Sequence, residues 1–493
     1  MSFFWALSPV LLIFILVVFF KTDLFKLAVV SFFYTSAVAA VVFGTSPKVL
    51  TLAAVDGVLT TLPLLLVVYT GILISQFLLE KDSLQRLTSI FSKGIKGNFN
   101  KALLVGAGFG NFFEGAGVIA EPVVAPMLYS SGVSPTGSAI LSILGYAGLM
   151  HLALAGVIVT VLANVTSLPV QELATWLAIL SLPATLFLYT TIPLFIGEPR
   201  NTLKHLPLGC AVALVITASA YLAVRWAGFP ISSMLGGAAG ILFLFVVFRT
   251  IPRFSRESVK DTAPFLFIFI CLFIVNMVPS VKQLFAKELA FAIRVIPLHP
   301  ITFRPLANAY LYLFGAFLLS YHLFSEEGAT VAQYLRAGLQ KALKPLLSMA
   351  IFGAVGSIIA FSGLKGDLSA IVPAQNMAHY LAQGLIRSTG RYYPVFAPLL
   401  GWMGTFLTGY GVASIMLFGK LQLATAKMLG VSQTLLASSL TVGASIGSIS
   451  SPFKIAIASP LCNAQGKEGE ILRLSIPVGM VVSLLVGIAC FLI

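Results

Sequence analysis

At 493 residues the chain is long enough for several soluble domains, but 58% hydrophobic residues, 9% charged residues and a mean hydropathy of +1.01 exclude that organisation. The formal net charge of +14 would point to nucleic acid in a soluble protein; here Lys and Arg fall in short loops between apolar runs, where they orient a membrane chain, and no basic nucleic-acid module is visible. Cys210, Cys271, Cys462 and Cys490 lie in or beside apolar segments without CxxC or His spacing, which indicates neither a disulfide framework nor a metal site.

Residues 3–20 are apolar, with no Lys or Arg before them and no small-residue cleavage site after, so they read as a retained first span and not a signal peptide. Further runs long enough for a bilayer about 30 Å thick lie near 26–44, 51–78, 139–163, 172–197, 205–224, 232–250, 263–279, 303–324, 344–363, 433–460 and 471–492, which predicts about twelve transmembrane helices. Two more apolar stretches, 102–129 and 394–424, are interrupted by glycines and read as re-entrant helical hairpins. Charged amphipathic stretches at 82–98, 329–343 and 367–390 read as helices lying on the membrane surface. Lys81, Arg86, Lys93, Lys96 and Lys101 crowd one loop and Arg249, Arg253, Arg256 and Lys260 another, so both are expected on the cytoplasmic side. Counting spans from them places both termini outside, the first hairpin entering from the inner face and the second from the outer.

A nine-residue phrase occurs twice, Gly110-Asn-Phe-Phe-Glu-Gly-Ala-Gly-Val118 and Gly404-Thr-Phe-Leu-Thr-Gly-Tyr-Gly-Val412, once in each broken stretch. Upstream, Pro63-Leu-Leu-Leu parallels Pro345-Leu-Leu-Ser, with Gly71 and Gly353 at matching places; downstream, Gly132-Val-Ser134 parallels Gly430-Val-Ser432. Three anchors in one order at offsets of 282, 294 and 298 residues mark an internal duplication. Seven spans separate the starts of the two Pro-containing helices, and an odd number inverts the second copy. The predicted fold is therefore an all-α polytopic membrane protein built on an inverted repeat. N-terminal scaffold helices occupy 1–50, repeat 1 with its hairpin 51–165, connecting scaffold helices 166–328, repeat 2 with its hairpin 329–465 and a C-terminal helix 466–493. Paired helix breaks in two halves are the sequence sign of a transporter binding site.

The candidate chemistry gathers at the breaks. Glu114 lies at the first glycine break and Glu121 follows before Pro122. A carboxylate at membrane depth costs several kcal/mol unless paired, hydrated or protonated, so each is a proton-carrier candidate. Against that, Glu114 is equally suited to satisfying hairpin-tip amides, and Glu121 to an ion pair. The second break, Thr408-Gly-Tyr-Gly411, frees backbone N–H groups at a helix start, where a small carboxylate is favoured. Ser448-Ile-Ser-Ser-Pro-Phe-Lys454 interrupts the next span, and Lys454 is an intramembrane cation that either neutralises a substrate carboxylate or pairs with Glu121 or Glu114. Lys420 and Lys427 read as a solvent-facing stripe, His151 as a helix-packing residue, and Asp56 and Asp261 as solvated. Gly443-Ala-Ser-Ile-Gly447 matches GxSxG literally but sits in a helix rich in small residues, where close packing explains it better than a nucleophile elbow. No P-loop, HExxH or dinucleotide fingerprint is present, which predicts a protein that is not an enzyme and uses no cofactor.

Phe113-Glu-Gly-Ala, Gly401-Trp-Met-Gly-Thr-Phe-Leu-Thr-Gly409, Leu417-Phe-Gly, Gly430-Val-Ser, Ser451-Pro and Gly466-Lys-Glu-Gly-Glu-Ile-Leu-Arg473 resemble the lactate permease family, most strongly over about 390–475 and fairly over 50–135. The resemblance implies a bacterial inner-membrane permease that imports L-lactate, glycolate or a related 2-hydroxymonocarboxylate with protons. The chain departs from the family in the broken segments: the family's Gly-Ser-Asp-Thr-Ser-Ser-Asn is Gly409-Tyr-Gly-Val-Ala-Ser-Ile415 here, and its Ser-Pro-Gln-Ser is Ser451-Pro-Phe-Lys454. One acid is lost and one cation gained. Under this reading Gly115, Gly117, Gly409 and Gly411 present amides, Lys454 holds the carboxylate, Thr408, Ser414, Ser450 and Ser451 supply hydrogen bonds, and Glu114 and Glu121 carry protons. The alternatives are a sodium- or proton-coupled carrier of a dicarboxylate or sulfonated acid and, in another class, a membrane-embedded lipid-handling enzyme. By analogy of hairpin plan with elevator-type transporters, a core would move against a scaffold, in a homodimer.

Overall fold

The computed structural model describes residues 2–20, 22–91, 95–250, 256–324 and 330–493. Lys93 and Arg253, two of the loop cations read from the sequence, and the repeat boundary at 328/329 lie outside the described residues. Nearly all of the rest is helix; strands β1 (Phe291–Ile296) and β2 (His299–Phe303) form one antiparallel hairpin. Among the described residues nine helices are long and apolar enough to cross a membrane, or ten if the bent pair Gln433–Ser450 and Pro452–Cys462 is one span. The chain is a multi-pass helical membrane protein.

Two long helices form the middle of the bundle. The Pro63 helix (Pro47–Glu80) and the Pro345 helix (Val331–Phe361) run antiparallel, with Gly57 against Gly353 and Leu73 against Gly338, and the Tyr69 hydroxyl donates to the Leu335 carbonyl at 3.1 Å. A Cβ on Gly57 or Gly353 would strike the other helix's backbone or side chains, so two glycines set the closest approach. The Pro345 helix corrects the expected surface helix at 329–343. A Thr330–Gln333 capping box starts it, nothing breaks it before Pro345, and its polar early residues, Gln333, Arg336 and Lys341, stay exposed while Gly338 packs inward.

Each of the two hairpins is followed by Gly-Val-Ser, and both copies do the same work. Gly132 (φ +97°) and Gly430 (φ +68°) turn the chain in the left-handed region, then Ser134 and Ser432 cap the next helix by accepting from the Gly137 and Leu435 amides, each at 3.2 Å. The helix so started in the first half is not the single span expected over 139–163. It stops at Ala147, passes through turns at Met150–Leu152 and Leu154–Gly156, and resumes as Val157–Thr166. Leu154, Ala155 and Gly156 have φ of 51°, 48° and 75°. Left-handed backbone costs a non-glycine residue about 1–2 kcal/mol, so packing overrides an apolar sequence that favours continuity.

Three charge readings also change. Asp56 and Asp261 are buried and partnered, not solvated: Asp56 meets His299 at 2.9 Å, and Asp261 takes a bidentate bond from Arg86, 2.7 and 3.0 Å. Their partners stand 243 and 175 residues away in sequence, beyond any local pattern. Lys427 is exposed as expected, whereas the Lys420 ammonium lies 4.1 Å over the Phe361 ring. Gly443 and Gly447 abut Pro398 and Trp402 of the second hairpin, so the GxSxG run is a helix-packing seam.

Candidate functional site

The first hairpin rises through a π-helical stretch, Ala102–Phe109, into Gly110–Ala116 and ends at Gly117, whose φ of +92° no side chain tolerates well. Val118 N–H bonds back to the Phe113 carbonyl and Gly117 N–H to the Glu114 carbonyl, closing the arm. The second arm, Glu121–Ser130, starts after three residues, and Glu114 Oε2 accepts from the Ala120 amide at 2.9 Å. Glu114 thus spans the break, its carboxylate set against the positive end of the second arm. Gly71 of the Pro63 helix abuts the Gly117 carbonyl and Gly115 abuts Met234, so the break is wedged between neighbours.

The second hairpin breaks two positions earlier in repeat register. Gly409 (φ +82°) ends Tyr393–Thr408, Tyr410 is extended, and Gly411–Leu429 begins with no side chain capping its amides. Thr408 donates to the Gly404 carbonyl at 2.7 Å, and Ser414 ties the two arms by donating to Gly401 at 2.9 Å. In the interrupted span that follows, Ser450 donates to the Ser475 carbonyl at 2.8 Å and accepts from Trp402 Nε1 at 3.2 Å, while Ser451 caps the Lys454 amide at 3.4 Å. The two interrupted spans touch at equivalent places: Ser448 Oγ lies 2.9 Å from Met150 Sδ, the residue one repeat offset of 298 earlier. His151 packs beside this contact, bonded to Ser181 at 2.7 Å, the Leu177 carbonyl at 3.1 Å and Ser445 at 3.3 Å.

Where these breaks converge lies a buried charged cluster. Lys454 Nζ is 2.9 Å from Glu121 Oε1 and donates to the Tyr146 hydroxyl at 2.6 Å, which in turn donates to the same Glu121 oxygen at 2.5 Å. Lys454 is 6% exposed, Glu121 1% and Glu114 2%. The attraction between such ions must offset a desolvation cost of several kcal/mol each, so the cluster is expensive to keep and more expensive to break. Glu121 Oε2 is buried with no hydrogen-bond partner, a vacancy worth about 1–3 kcal/mol to a donor that fills it.

A cavity of about 350 Å³ opens beside the cluster, within the ~300–1,000 Å³ range of small-molecule sites. Equivalent pieces of both halves line it: Glu114 and Glu121 with Tyr410 and Gly411 from the breaks, Met150 with Lys454 from the interrupted spans, and Leu64 with Pro345 from the long helices. Exposed Lys341 and half-buried Gln76 stand at its mouth, on the end of the bundle that carries Lys81. Of the residues singled out from the sequence, Glu114, Glu121, Gly411 and Lys454 line the cavity. Gly117 and Gly409 stand behind it as turn glycines, Gly115 as a helix-packing glycine against Met234, and Thr408, Ser414, Ser450 and Ser451 as hydroxyls bonded to backbone. Tyr146, Tyr410 and Met150 were not singled out from the sequence as site residues, and the available signal was Tyr146, a phenol set in an apolar run.

Broken helices from two halves, meeting at a buried charged cavity within a multi-pass bundle, define a membrane permease. A family model described as L-lactate permease matches residues 2–493, and the chain belongs to that family. It is similar to the L-lactate permeases of Salmonella typhimurium (strain LT2), 26% identical over 435 residues that cover 78% of this chain and 76% of that protein, and of Streptococcus iniae, 26% over 356 residues covering 67% and 70%. A shorter match, 32% over 148 residues, joins 30% of this chain to 24% of the glycolate permease of Escherichia coli (strain K12). The chain is a transporter and not an enzyme.

Proposed function

We propose that this chain is a secondary active transporter of the bacterial inner membrane, importing L-lactate, glycolate or a related 2-hydroxymonocarboxylate together with protons. The observation that carries the reading is the convergence of both helix breaks and the Lys454–Glu121 pair on one cavity. The substrate carboxylate sits between the uncapped Gly411 and Val412 amides and Lys454; its 2-hydroxyl donates to the vacant Glu121 Oε2. With Glu114 and Glu121 beside one ammonium, an incoming anion adds a second uncompensated negative charge, and a proton on Glu114 returns the site to the net charge it has when empty. Lys454 already has a carboxylate partner within the protein, which removes the free cation that favoured a dicarboxylate.

On this reading the antiparallel Pro helices and the Met150–Ser448 contact reflect an inverted repeat about an axis in the membrane plane. The two hairpins are re-entrant, and about twelve spans surround them. A core carrying hairpins and interrupted spans moves against a scaffold in elevator fashion, in a homodimer. Uptake of labelled lactate or glycolate into proteoliposomes tests the function: an inward proton gradient should drive accumulation above equilibrium. Uptake that a proton gradient leaves unchanged rejects the coupling; no uptake of either acid rejects the substrate.

A further inference from the structure

At the end of the two long helices away from the cavity mouth, a second buried polar cluster takes no part in the site above. Asp56 comes from the Pro63 helix, Ser357 from the Pro345 helix, and His299 from the start of β2, where the Pro297-Leu298 turn sets it opposite Ile296. His299 Nδ1 is 2.9 Å from both Asp56 carboxylate oxygens, His299 Nε2 is 2.6 Å from the Asn164 backbone carbonyl, and Ser357 donates to Asp56 Oδ2 at 3.1 Å. His299 is 2% exposed and Asp56 1%. Lys420 of the second hairpin's second arm holds its ammonium over the Phe361 ring, and that ring also packs against His299 with centroids 5.4 Å apart. Thr60, one turn along the Pro63 helix, gives its hydroxyl to the Asp56 carbonyl at 2.8 Å.

The imidazole faces acceptors on both sides. A backbone carbonyl oxygen only accepts, so Nε2 must carry hydrogen; an ionised carboxylate only accepts, so Nδ1 must carry another. A neutral ring has one such hydrogen. The equal distances to the two Asp56 oxygens fit a single N–H shared between two acceptors and not a carboxylic O–H aimed at a bare ring nitrogen. We infer that Asp56 and His299 form a proton-binding site, remote from the substrate cavity, in which an imidazolium clasped by the carboxylate and the Asn164 carbonyl seals the β hairpin onto this end of the bundle. The Phe361 face holds the Lys420 ammonium, so that cation is accommodated apart from the imidazole. Without that proton one ring nitrogen would stand bare against an acceptor lone pair, and the hairpin would lose one of its two anchoring hydrogen bonds.

Only five histidines occur in the chain, so ¹⁵N-imidazole spectra of the full-length purified protein resolve the ring directly. His299, assigned by loss of its signals in His299→Gln, is expected to show two protonated nitrogens at neutral pH. In Asp56→Asn the new amide donates to Nδ1, so the ring becomes neutral with hydrogen on Nε2 alone while the hairpin stays closed. Amide exchange over 291–303 should match wild type in Asp56→Asn and be about tenfold faster or more in His299→Gln, a loss of roughly 1.4 kcal/mol of protection. A neutral His299 ring in the wild-type protein overturns the proton site; unchanged exchange in His299→Gln overturns the seal.

Discussion

The two helix breaks share their glycines but differ in what occupies the start of the second arm. In the first, Glu114 reaches across and accepts from Ala120, so the positive end of that arm is already answered by the protein. In the second, no side chain caps Gly411, and its amides face the cavity. The left-handed residue also differs, Gly117 in one copy and Gly409 in the other, two positions apart in repeat register. Duplicated sequence has therefore yielded two breaks of different chemistry, one whose helix start is answered by its own carboxylate and one whose amides are left uncapped.

The largest effect is expected where the halves are joined by charge. Lys454→Met leaves Glu121 buried with only Tyr146, and breaking such a pair costs about 3–5 kcal/mol; uptake should vanish and thermal stability drop, while Lys454→Met with Glu121→Leu recovers stability without uptake. Glu114→Gln comes next and separates charge from capping. Its amide oxygen still accepts from Ala120, so the fold should hold and substrate exchange continue, whereas gradient-driven accumulation should fall at least about tenfold, a loss of roughly 1.4 kcal/mol. Gly411→Pro is gentler: Pro suits the first helical position, and extended Tyr410 (φ −137°, ψ 132°) suits the residue before it, so one N–H is removed with little distortion. Loss of one hydrogen bond worth about 0.5–1.5 kcal/mol raises KM some two- to tenfold with maximal rate nearly unchanged. The smallest effect belongs to Gly117→Ala, which pays for left-handed backbone and a contact with Leu313; it should lower the melting temperature and leave KM in place.

Much of this site was legible because helix breakers are local. Glycine and proline act through their own backbone, so the paired breaks, the Gly-Val-Ser turns and the stop at Pro452 stand in the sequence, and a lysine among apolar residues announces itself. The break at 148–156 was hidden because Leu154 and Ala155 take a conformation their own chemistry disfavours, imposed by neighbours that sequence does not place beside them. The partners of Asp56 and Asp261 were hidden for a related cause: a buried ion's stabilising group arrives from another helix, and only the fold brings it there. Ser414, Ser450 and Ser451 read from the sequence as ligands, and in the fold their hydroxyls donate to the carbonyls of Gly401, Ser475 and Gly409, acceptors that no local pattern places beside them.

A density map of the protein saturated with L-lactate or glycolate addresses the shared cavity most directly. The anion should lie between the Gly411 and Val412 amides and Lys454, with Glu114 and Glu121 within reach of it. Ligand density that touches neither helix break, or only one of them, contradicts the account.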